Sequence, residues 1–162
     1  MTLILSYVDR ECIIQVSDRR LTYLKQVGSR VVPAQRDPDE GAYKSVLLDF
    51  IVVVGYCGVA MPPRRPESVA ELGGEAEDVP MNRWVAEALK DVETVHDVGR
   101  VLSQKLADAM AELGAVGDIR AKIPSGLSIV AWIHYDDQRL RPARWQLTYN
   151  GKGNVHGDGR YE

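Results

Sequence analysis

The stretch TLILSYV-DRE-CIIQVS is the feature that most constrains this chain. Two runs rich in Leu, Ile, Val and Tyr flank Asp9-Arg10-Glu11. Such side chains fit a pleated surface, and a short charged interruption reads as a turn. The pattern predicts an antiparallel hairpin. In its first strand Leu3, Leu5 and Tyr7 point one way and Thr2, Ile4, Ser6 and Val8 the other. Both faces carry apolar residues, so the strand is expected to be covered on both sides.

The remaining order is strands, helices, strands. KSVLL and FIVVVGY predict a second hairpin with Asp49 at the turn. Residues 22–43, with two prolines and a charge cluster, read as an exposed connection. MPPRRPESVAELGGEAEDVP, residues 61–80, reads as a mobile surface loop, since neither side would make a full core alone. Trp84, Val85, Ala88 and Leu89 recur at helical spacing, with Asn82 as N-cap. A second helix starts at the capping-box pattern Thr94-Val95-His96-Asp97. Its stripe is Val98, Val101, Leu102, Leu106, Met110 and Leu113, and Gly114 is its expected end. LSIVAWIHY and RWQLTYNG predict a last hairpin around Asp136-Asp137. The fold class is therefore α+β, a sheet with helices packed on one face, in a single domain over 1–162.

Composition narrows the partners. The formal net charge is -3 and the pI about 5.7, which argues against a sequence-independent grip on nucleic acid. Two cysteines, Cys12 and Cys57, do not make a disulfide scaffold. His96, His134 and His156 show no metal-ligand spacing, and no phosphate loop or Ser-His-Asp order occurs, so no cofactor is expected. The longest apolar run, IVVVGYCGVAM, falls short of the roughly 20 residues that span a bilayer, and no signal peptide is visible. The expectation is a soluble cytoplasmic protein without a membrane partner.

The chemistry turns on Thr2. A threonine hydroxyl is a weak nucleophile and needs a base. At a chain terminus the α-amino group, with a reference pKa of about 7.7–8.0, supplies one. A neighbouring ammonium lowers the amine pKa further, and an aspartate holds that ammonium charged and in place. Backbone N–H groups at a glycine turn can stabilise an oxyanion. Removal of Met1 would expose Thr2, Asp18 ends the return strand, Lys44 opens the next hairpin, and Gly55 and Gly58 lie in VVVGYCGVA.

Together, the threonine on a strand, the VSDRR ending, the lysine before a hairpin and the run into GYCGVA resemble the proteasome-type N-terminal nucleophile (Ntn) hydrolases, closest to uncharacterised bacterial relatives. The resemblance covers residues 2–60 well and the rest coarsely. It implies a layered sandwich of antiparallel sheets covered by helices. It also implies Thr2 as nucleophile and base, Asp18 and Lys44 as charge pair, Gly55 as oxyanion donor, and supporting places for Arg20 and Gly58. The implied activity is cleavage of an amide or peptide bond, on a peptide or small amide substrate, in a chain that can form homo-oligomers. Two departures stand out. The connection from Arg20 to Lys44 is long, and the family's C-terminal elements, including a later serine and aspartate, have no counterpart in KGNVHGDGRYE. The alternative expectation is a non-catalytic proteasome-like assembly or interaction protein, or a truncated, degenerate member.

Each residue also has a plainer reading. Asp18 could pair with Arg20 at a strand end, Lys44 could be solvated, and the glycines could serve only turns or close packing. Cys12 and Cys57 are most simply small packed residues.

Overall fold

A computed structural model describes residues 4–9, 11–17, 23–27, 30–35, 44–48, 52–59, 63–64, 77–134, 139–152 and 155–161. Among the described residues the architecture is mixed α and β, built from antiparallel sheets and two α-helices. The first hairpin is present as β1 (Ile4–Val8) and β2 (Ile13–Ser17), paired with Ile4 opposite Ser17 and Val8 opposite Ile13. Asp9 closes it by accepting from the backbone N–H groups of Glu11 and Cys12, both at 2.8 Å.

The supposed exposed connection contains a hairpin of its own. β3 (Tyr23–Val27) and β4 (Arg30–Gln35) pair antiparallel, with a register shift between Tyr23 and Leu24. Gly28-Ser29 is the turn signal between them in sequence. Pro33, which argues against a central strand, is accommodated because among the described residues β4 pairs with β3 alone.

β5 (Ser45–Leu48) and β6 (Val52–Cys57) form the second hairpin at the edge of a five-stranded sheet. The sheet continues through β9 (Ser125–His134), β10 (Leu140–Tyr149) and β11 (Val155–Tyr161), in the order β11-β10-β9-β6-β5. β11 lies in the tail KGNVHGDGRYE, whose glycines argue against a strand, and pairing with β10 overrides that local preference. Within 61–80, Pro63–Arg64 (β7) and Glu77–Asp78 (β8) pair across the stretch.

Both helices cover one face of this sheet. α1 (Met81–Ala88) starts after Pro80, not Asn82. Pro80 lacks a side-chain donor or acceptor and makes no capping bond, while Asn82 lies inside the first turn. α2 (Val95–Ala115) follows Thr94 as expected. Its box closes differently from the usual pattern: the Thr94 hydroxyl donates to the Asp97 carboxylate at 2.8 Å, and Asp97 also holds Arg100. The helix runs past Gly114 and ends at Ala115, with Val116 as its C-cap. Gly117, at φ 72°, supplies the left-handed residue that stops it. Leu102, Leu106, Met110 and Leu113 pack with Val54, Tyr56, Leu127, Ile129 and Leu147 in one core. Gly99 lets the helix approach Trp145 closely, since an added Cβ would lie 3.3 Å from the indole.

The β1–β2 hairpin lies on the opposite face. Ser6 meets Ser128, Gln15 meets Ser128 and Gly55, and the Trp132 indole donates to the Asp9 carbonyl at 3.0 Å. The seam between the two β layers is therefore polar in part. Burial on both faces of the first strand is not what the described residues show. Leu5, Tyr7, Ile14 and Val16 are 50–58% exposed on the outer side of the hairpin.

Candidate functional site

Thr2, Asp18 and Arg20 lie outside the described residues. Their chain neighbours do not. Ile4 and Ser17 are register partners, and the Ser17 hydroxyl lies 3.4 Å from the Ser45 hydroxyl. Ser17 precedes Asp18 and Ser45 follows Lys44 in the chain. In the sequence Thr2 stands two residues before Ile4, and Asp18 directly follows Ser17.

Lys44 is buried, at 4% exposure, and so is not the solvated lysine of the plainer reading. Its carbonyl accepts from the Tyr56 N–H at 3.0 Å, which pins it to β6. Its positive charge is felt by the Cys57 thiol. Burial nonetheless raises the Cys57 pKa above its ordinary value, against the opposing pull of the Gly126 backbone and Lys44. A thiol held protonated is a poor nucleophile. Cys12 is raised as well, first by burial and then by the charge of Asp9.

The two glycines occupy different situations. Gly55 is in the middle of β6, between Ser45 on β5 and Ser128 on β9. Alternate residues of a strand point their N–H groups to opposite sides. Tyr56 donates toward Lys44, so Gly55 donates toward β9, into the sheet. Close packing explains why this position is glycine. An added Cβ would lie 2.6 Å from the Gln15 Oε1, itself a buried acceptor without a partner among the described residues. Gly58 instead ends the strand, exposed, at φ 92°. A side chain there would strike Ser125 and lie 2.6 Å from the Pro124 carbonyl oxygen. The next residue is held firmly: the Val59 N–H donates to the Ser125 hydroxyl at 3.1 Å, and that hydroxyl donates to the Ile123 carbonyl.

An open cleft of about 540 Å³ begins at Ile4 and Cys57 and runs over the ends of β9 and β10. Its described lining includes Ser125, Ser128, Arg144, Gln146 and Thr148. None of these was singled out from the sequence. Single polar residues on a strand carry no local signal of function, and only the pairing of β10 with β9 brings them together. Among the described residues no cluster of His, Cys, Asp and Glu could hold a metal ion. No helix among them is long and apolar enough to cross a membrane.

Comparison of the chain with protein-family models, with curated proteins and with solved structures finds no match.

Proposed function

We propose that this protein is a threonine-type N-terminal nucleophile hydrolase that cleaves an amide or peptide bond once Met1 is removed. One observation carries the reading. Ile4, Ser17 and Ser45, the described neighbours of Thr2, Asp18 and Lys44, meet at one end of the hairpin. A buried lysine, a glycine at positive φ and an open cleft lie at the same end. In this reading Thr2 attacks the carbonyl, its α-amine takes the hydroxyl proton, and Lys44, held by Asp18, lowers the pKa of that amine. The acyl group passes to Thr2, the amine leaves with a proton, and water releases the acid. Gly58 is the better oxyanion donor, because the Gly55 N–H is turned into the sheet. The layered Ntn sandwich and a cytoplasmic setting belong to the same proposal. The test is turnover of a peptide library by the mature protein and by Thr2→Ala. Cleavage abolished in the variant supports the reading, and equal cleavage by both contradicts it.

A second reading, a non-catalytic assembly partner, rests on the outer face of the hairpin. Leu5 stands opposite Val16 and Tyr7 opposite Ile14, all at least half exposed. Apolar strips of this kind often mark interfaces. Light scattering over a concentration series decides it. Self-association abolished by Leu5→Lys with Val16→Lys supports an interface, and a wild-type monomer throughout contradicts self-assembly.

A further inference from the structure

We propose that the cleft beside Ile4 is a peptide-binding groove and that Arg144 reads an acidic side chain two to four residues from the bond that is cut. The inference rests on the hydrolase reading and adds a substrate class to it.

The direction of the groove follows from two contacts. Ser6 meets Ser128 at 3.0 Å, and Asp9 meets Trp132 at 3.0 Å. Moving forward along β1 thus moves forward along β9. Moving back from Ser6 brings Ile4 level with Gly126, and both line the cleft. Thr148 is the register partner of Gly126. From Thr148 the cleft follows β10 back to Arg144, a span of four residues or about 13 Å at strand spacing.

The lining suits an extended chain. Arg144, Gln146 and Thr148 are exposed, whereas Trp145, Leu147 and Tyr149 between them are buried in the core. They therefore present a row of polar groups on the hairpin side of the sheet. The floor is low at Gly126, where a Cβ would lie 3.2 Å from the Leu147 carbonyl oxygen and 3.3 Å from the Cys57 sulfur.

The described lining carries a single charge, that of Arg144. On the neighbouring strand its register partner is Arg160, and Asp158 is the register partner of Gln146. No described residue forms an ion pair or hydrogen bond with it. A guanidinium fork of this kind matches a carboxylate with two parallel hydrogen bonds. A ligand that reaches from the Ile4 end to Arg144 spans about 13 Å, which an extended peptide does and a small amide does not. An extended peptide advances about 3.3 Å per residue, so a carboxylate at Arg144 sits a few residues from a carbonyl at the Ile4 end.

The experiment uses octapeptides in which one Glu is walked along a neutral sequence, with Gln as its isostere and Lys as the opposite charge at each position. Cleavage by wild type, Arg144→Gln and Arg144→Glu is followed by mass spectrometry. Glu at one position, two to four residues from the cut, is expected to raise kcat/KM about tenfold to hundredfold over Gln. Arg144→Gln removes that preference, and Arg144→Glu transfers it to Lys at the same position. No positional preference, or a preference surviving in Arg144→Gln, overturns the proposal. If wild type cleaves none of the peptides, the hydrolase reading fails separately. Fluorescein-labelled copies of the same peptides then report binding. Acid-selective binding lost in Arg144→Gln supports the groove, and unselective or absent binding overturns it.

Discussion

The hydroxyls of Ser17 and Ser45 lie 3.4 Å apart, joining the end of the first hairpin to the start of the second. They are chain neighbours of Asp18 and Lys44. Two residues distant in sequence thereby become candidates for one charge pair, beside the strand that starts near Thr2. Ile4 extends the same junction, because it is the register partner of Ser17.

If Lys44 tunes the Thr2 amine, removing its charge shifts the pH dependence of hydrolysis. A nearby positive charge disfavours the protonated amine and lowers its pKa. Lys44→Met therefore moves the rising limb of the kcat/KM profile to higher pH, in addition to reducing the rate. A profile from pH 5 to 9, with circular dichroism to confirm folding, checks this. A reduced rate with an unmoved profile would leave Lys44 a purely structural role.

Gly55 and Gly58 should fail in different ways. Gly55→Ala pushes the Gln15 amide aside, so that it gives up its bonds to Ser6 and Ser128, and should cost about 1 kcal/mol. Part of that cost should be recovered in the double variant with Gln15→Ala, because the clash and the unpartnered Gln15 acceptor disappear together. Gly58→Ala strains a left-handed backbone against Pro124, at a cost of about 1–3 kcal/mol that Gln15→Ala does not relieve. Urea denaturation of the four variants measures both.

The first turn carries an acid-sensitive element. Hydrogen bonds from the Tyr7 hydroxyl, then from the Cys12 and Glu11 backbone, lower the Asp9 pKa to about 2. A depressed folded-state pKa means that its contribution is complete above the unfolded value, near 3.8. It fades as the pH falls from there toward 2. Asp9→Asn should flatten stability over that window relative to wild type. Denaturant midpoints at pH 2.5, 3.5 and 5 test the slope.

The sequence was informative where periodicity was strong. The stripe from Val98 to Leu113 specified α2, and the β-branched runs specified the first, second and last hairpins. It was less informative where local signals conflicted. Pro33 and nearby charge disguised β4, and the glycines of VHGDGRY disguised β11, whose pairing with β10 decides its conformation. Helix ends moved because a cap depends on backbone angles more than on residue type: Gly117, not Gly114, takes the positive φ. Of the site, Lys44 was legible as a strand-opening residue, but its burial was not. Arg144 and the rest of the cleft were invisible, because they converge only through strand pairing.

The central claim is that Thr2, freed of Met1, is a nucleophile. Its most direct test is intact and fragment mass spectrometry after exposure of the purified protein to a peptide epoxyketone, which bonds to both the hydroxyl and the amine of an N-terminal threonine. The account predicts a chain lacking Met1 that gains one inhibitor mass, located on Thr2 and absent from Thr2→Ala. A retained Met1, or a processed Thr2 that remains unlabelled, would contradict it.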